Sequence, residues 1–82
     1  MRAHIEAQLN ATKARVQQAV ANVQPWPLGH AYLWGIVDVT QKNGKVRSYR
    51  ALLASVCALD LNAACKLAET VPGVRSVSYN LD

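Results

Sequence analysis

"AYLWGIVDVTQKNGKVRSYRALLASVCA", residues 31–58, decides how this chain folds. Asn43-Gly44 sits near its centre, and both residue types tolerate the positive φ that a two-residue type I′ turn demands. The flanking arms are nearly equal in length and rich in strand formers, so a long β-hairpin is expected. Counting outward from the turn pairs Gln41 with Val46, Thr40 with Arg47, Val39 with Ser48 and Asp38 with Tyr49. It continues with Val37 opposite Arg50, Ile36 opposite Ala51 and Trp34 opposite Leu53. The composition of "SYRALLASVCA" also tolerates a helix, but the turn chemistry selects the strand.

Alternation along the arms then defines two faces. One carries Leu33, Val37, Val39, Val46, Leu52 and Ala54; the other carries Tyr32, Trp34, Ile36, Tyr49, Ala51 and Leu53. Both are apolar near the base of the ribbon. Helices cover one side of such a sheet, so the other needs a second copy, a partner or a binding use. Tyr32, Trp34, Ile36 and Leu53 are therefore the candidate interface, with core or a homodimer seam as the plainer readings. Four of the nine Lys and Arg residues (Lys42, Lys45, Arg47, Arg50) crowd the tip of the ribbon. With Tyr49 they form a candidate site for an anionic ligand, nucleic acid or anionic surface. The plainer reading is a charged tip that keeps strand edges apart.

Before the hairpin, residues 3–23 read as an amphipathic helix with Ile5, Leu9, Thr12, Val16, Ala19, Val20 and Val23 along one stripe. "PWPLGH" closes it, because Pro25 and Pro27 disfavour helical backbone in the residues before them. Trp26, between them, is expected to fold back over the first helix or to serve as a docking ring. After the hairpin, "LNAACKLAET" (61–70) forms a short helix with Asp60 as N-cap and a stripe of Leu61, Ala64, Cys65 and Ala68. Pro72-Gly73 stops it, and "VRSVSYNL" alternates as a half-buried strand. The expected fold is α+β: a single αββαβ domain over 1–82, with a three-stranded sheet and both helices packed on one face.

At 82 residues a second core could not be closed, and the monomer buries only about 60–65% of its unfolded surface. The 51% apolar and 17% charged composition argues against disorder and favours an oligomer, most simply a homodimer. Cys57 and Cys65 cannot build a disulfide framework and are expected as small buried hydrophobes. Without an apolar leader or a membrane-length apolar run, a cytoplasmic location with no transmembrane segment is expected.

The order of elements, with "NGKV" at the hairpin and "AACKLAETVPGVRSVSYNL" at the end, resembles the BON domain, a small αββαβ module. Asn43, Gly44 and Val46 match its "NG-x-V". Ala64, Leu67, Ala68, Gly73, Val74, Val77, Asn80 and Leu81 match its second helix and "GV-x-x-V-x-N-x-L" strand. The family's hairpin continues with leucine and glycine where Ser48 and Arg50 stand here, and about three extra residues precede the second helix. The resemblance covers roughly residues 43–81. It implies a binding module without chemistry of its own, associated with phospholipid surfaces, envelope proteins or small ligands.

No catalytic constellation is visible. Glu6, Asp38, Asp60, Glu69 and Asp82 are scattered, and no motif links His4 or His30 to a cysteine. Paired metal-ligand spacing is absent, and "VPGV" opens a strand rather than a phosphate-binding helix, so neither metal nor cofactor is expected. The expectation is a non-enzymatic binding or adaptor module that meets a macromolecular partner through the apolar sheet face and basic tip. Alternatives are a nucleic-acid binder led by the hairpin, an inhibitor from a phage or mobile element, and an anionic-phospholipid module of the BON type.

Overall fold

The computed structural model describes residues 2–21, 30–58 and 60–81. The connector with Pro25, Trp26 and Pro27, and Val23 at the expected helix end, lie outside the described residues. The elements are α1 (Arg2–Ala19), β1 (Ala31–Thr40), β2 (Val46–Val56), α2 (Leu61–Glu69) and β3 (Val74–Leu81). The sheet is antiparallel throughout, in the order β2-β1-β3, so the first arm of the hairpin is the central strand.

The hairpin forms, but its turn is one residue longer than the type I′ reading. Gly44 N donates to Gln41 O at 3.0 Å and Gln41 N donates to Lys45 O at 2.7 Å. Gly44 alone in the loop takes positive φ, at +84°, while the Asn43 side chain accepts from Lys45 N. This is a type I turn on 41–44 followed by a left-handed glycine, the three-residue hairpin loop with a G1 bulge. Every expected pair therefore slips by one. Thr40 faces Val46, Val39 faces Arg47, Asp38 faces Ser48, Val37 faces Tyr49 and Ile36 faces Arg50. A one-residue slip turns β2 from Val46 to Leu52 over relative to β1.

The faces change accordingly. Ala31, Leu33, Val37 and Val39 of β1 are buried and share a core cluster with Ala54 and Val56 of β2 and Val74 of β3. Val16 of α1, Val20 just beyond its end, and Ala64, Cys65 and Ala68 of α2 belong to the same cluster, as the two helical stripes require. Ile5, Leu9 and Leu61 pack at its margin. The opposite face carries Tyr32, Trp34, Ile36 and Asp38 of β1 with Val46, Ser48, Arg50 and Leu52 of β2. It is polar along its flanks rather than apolar throughout.

Two irregularities meet at Gly35. Leu33 faces Ala54 and Trp34 faces Leu52, which makes Leu53 an extra residue in β2. Trp34 faces Ser78 and Ile36 faces Arg75, so β3 also carries an extra residue, with Ser76 at φ 55°. Val77 N, released from the ladder there, donates to Glu69 Oε2 at 2.9 Å. A Cβ on Gly35 would lie 2.9 Å from Leu53 Cδ1 and 3.0 Å from Val77 Cγ2. The missing side chain in the central strand is thus the space that both flanking strands fill.

Side chains complete the backbone bonding at the ends. Beyond the reach of β3, Thr40 N donates to Gln8 Oε1 (3.2 Å) and Thr40 O accepts from Gln8 Nε2 (2.8 Å). One carboxamide so replaces a neighbouring strand and ties α1 to the hairpin. Asp60 caps α2 as expected, accepting from Ala63 N at 3.0 Å. Val71-Pro72-Gly73-Val74 closes with Val74 N donating to Val71 O, Gly73 at φ +86°, the residue order of a type II turn. Cys65 is buried, but Cys57 is exposed, against expectation. It follows the last residue of β2, where alternation buries Val56 and Ala58 and turns Cys57 outward.

Candidate binding surface

The core alternation leaves Tyr32, Trp34, Ile36 and Asp38 as a single row along the outer face of the central strand, each half-buried. Cross-strand pairing decides what borders the row. Ser55, Leu52, Arg50 and Ser48 stand on the β2 side; Asn80, Ser78 and Arg75 stand on the β3 side. The Arg50 guanidinium carbon lies 5.6 Å from the centroid of the Trp34 ring, within range of a cation–π contact. His30 meets Tyr32 edge-on with ring centroids 5.0 Å apart and bonds the Ser55 hydroxyl.

The tip-ward end of the row is a polar cluster across all three strands. Ser48 Oγ donates to Asp38 Oδ1 at 2.6 Å, Arg75 Nε donates to Asp38 Oδ2 at 3.2 Å, and Arg75 Nη2 donates to Ser48 Oγ at 3.1 Å. The Ser48 hydroxyl first, and the Arg75 guanidinium next, hold the Asp38 carboxyl below the ordinary carboxylate range. Asp38 is the only carboxylate on this face among the described residues, and it is already engaged with Arg75. Arg50 has no carboxylate partner among them. The face is net positive.

Of the expected interface residues, the structure brings Tyr32, Trp34 and Ile36 onto one surface. Leu53 is not with them: it is 3% exposed and packs over Gly35 in the core. Of the expected anionic-ligand residues, Arg50 joins the aromatic row, while Lys42 and Lys45 stand exposed in the loop. Arg47 is exposed on the opposite face, across from Val39, and Tyr49 is half-buried against the core across from Val37. Tyr49 is therefore a packing residue, and the rings on the outer face are Trp34 and Tyr32. The Asp38–Ser48–Arg75 cluster was not anticipated from sequence because the expected register put Tyr49, not Ser48, opposite Asp38.

Among the described residues no three or more His, Cys, Asp or Glu side chains gather as metal ligands, and no helix is long and apolar enough to cross a membrane. Two further acidic groups do structural work: Asp60 caps α2, and Glu69 holds the Val77 amide. Comparison with protein-family models, with curated proteins and with solved structures finds no match to this chain.

Proposed function

We propose that this chain is a non-enzymatic binding module that takes a macromolecular partner on the outer face of its sheet, with the basic hairpin loop as a second point of contact. The observation that supports this is the row of Tyr32, Trp34 and Ile36, which stays half-exposed in the folded chain with Arg50 over the Trp34 ring. Aromatic and arginine side chains side by side are the residue types that anchor interfaces. Val46 and Leu52 extend the same face, at 61% and 38% exposure. Asp38, the carboxylate on this face, is engaged with Arg75 and Ser48, which favours recognition over proton transfer as the use of the surface.

Amide chemical-shift mapping on the isotope-labelled full chain tests the reading. The labelled protein is followed on dilution, with anionic vesicles and with a short oligonucleotide. The response is expected in residues 32–38 and 48–52, whichever of the three produces it. A partner that shifts only α1 and α2 residues overturns the assignment of the face.

A further inference from the structure

Resting on that reading, we infer that the occupant of the outer sheet face is a single-stranded nucleic acid, with bases on Trp34 and Tyr32 and phosphates on Arg50, Arg75 and the loop lysines. Trp34 and Tyr32 are successive outer-face positions of one strand, two residues apart, and so about 7 Å from each other along the sheet. That spacing gives each ring its own base in an unstacked strand, the manner in which sheet surfaces take single-stranded nucleic acid.

The charges are placed for the same ligand. Arg50 on β2 and Arg75 on β3 are both cross-strand partners of Ile36, one on either side of the row. The aromatic positions thus lie on a track bracketed by two guanidiniums. Arg50 already sits over the Trp34 ring, so it can meet a phosphate or extend the stacking surface without first being ordered. Lys42 and Lys45 continue the positive track at the end of the ribbon, with no carboxylate partner among the described residues. Asp38, the only carboxylate on the face among the described residues, is paired with Arg75 and accepts from the Ser48 hydroxyl.

Other occupants fit less well. A second copy seated on this face would set Arg50 and Arg75 of each chain against those of the other, whereas the core of a homodimer interface is depleted of charge. The apolar strip is also narrow: Leu52 widens it only beside Trp34, and Ser48, Ser55, Ser78 and Asn80 stand along its borders. A lipid surface favours rings that protrude, and Tyr32 and Trp34 are half-buried between their neighbours.

The test is fluorescence anisotropy of a labelled oligothymidine or oligouridine of about ten nucleotides, a length within the usual site sizes of such surfaces. The full chain is expected to bind with a log–log salt slope of roughly −2 to −3, from three to four phosphates at about 0.7 each. Trp34→Ala should weaken binding roughly tenfold or more, the loss of one base–ring stack. Arg50→Glu should weaken it and flatten the slope by about 0.7 or more. Arg15→Glu, an equal charge change on an exposed position of α1, should leave affinity within about twofold, since it lies off the track. Circular dichroism checks that each variant is folded.

Equal losses in Arg15→Glu and Arg50→Glu, with Trp34→Ala binding as the parent does, would show adventitious polyanion binding and overturn the inference. Absence of oligonucleotide binding, while dilution or anionic vesicles shift residues 32–38, overturns the nucleic-acid assignment and leaves the binding-face reading standing. Oligonucleotide shifts confined to the helices overturn both.

Discussion

Replacing Gly35 by alanine should destabilise the protein although alanine is smaller than every neighbour it would meet. The new methyl would sit 2.9 Å from Leu53 Cδ1, 3.0 Å from Val77 Cγ2 and 3.2 Å from the Arg75 carbonyl oxygen. Carbon atoms in contact prefer about 3.5–4.0 Å. The Leu53 methyl ends a flexible side chain, but Leu53 is buried at 3% exposure and has little room to rotate away. The Arg75 oxygen belongs to backbone and moves only with its strand. Overpacking of this kind costs about 1–3 kcal/mol, and the stiffer unfolded chain returns about 0.4–1 kcal/mol. The net loss is then about 1–2 kcal/mol, or a fall in Tm of roughly 5–15 °C for a domain of this length.

Urea and thermal unfolding followed by far-UV circular dichroism measure the change. The cause is separated from a general intolerance of alanine by repeating the substitution in a Leu53→Ala background. With the nearest methyl gone, the added penalty should fall by about 0.5 kcal/mol or more, the coupling expected of residues in contact. Gly35→Ala as stable as the parent, or an equal penalty with and without the Leu53 side chain, would refute the reasoning that the two bulges fill the space at Gly35.

Three further outcomes are expected. Asp38 has a depressed carboxyl pKa in the folded chain, so its contribution is present above the unfolded value of about 3.9 and is lost as pH falls through the lower folded value; Asp38→Asn should therefore flatten the acid limb of Tm against pH below about pH 4. In a thiol titration with Ellman's reagent, the native protein should react at Cys57 and spare Cys65 until it unfolds, because Cys57 is exposed while burial pushes the Cys65 thiol up; fast labelling of both would contradict the packing of α2. Gln8→Ala removes its two bonds to the Thr40 backbone, and since water can replace them there and the His4 ring remains on Thr40 O, the loss of stability should be about 1 kcal/mol, read from urea unfolding, with faster hydrogen exchange at Thr40.

Much of the architecture could be read from residue patterns because the deciding signals were local. The helical stripe through Ile5, Leu9 and Val16, the Asp60 cap, the Pro72-Gly73 turn and the alternation of β1 each depend on near neighbours in sequence. The register of the hairpin did not yield in the same way. Asn-Gly serves both a two-residue type I′ turn and a type I turn with a left-handed glycine after it, and these differ by one residue. That single residue moved Tyr49 to the core side and put Ser48, Arg50 and Leu52 beside the β1 row. Asp38 faces a hydroxyl in either register, Tyr49 in one and Ser48 in the other, so its partner does not discriminate between them. The bulges were illegible for a different reason: they answer to Gly35, and a glycine shows its vacant space only when both neighbouring strands are in place.

Those bulges also connect the core to the surface. Trp34 lies between the two register shifts, the β2 shift on one side of it and the β3 shift on the other. Bulges bend a strand and sharpen its twist, and they re-aim the side chains next to them. Ser76 accepts positive φ, a conformation costly for a residue with a Cβ, to make the second of them. The direction of the Trp34 ring, and hence its meeting with Arg50, follows from packing on the reverse side of the sheet, where Leu53 and Val77 converge on Gly35. A substitution at Gly35 therefore acts on the proposed binding face without touching it. Weaker ligand binding by Gly35→Ala under conditions where the variant is fully folded would report a displaced ring, whereas Trp34→Ala would report an absent one.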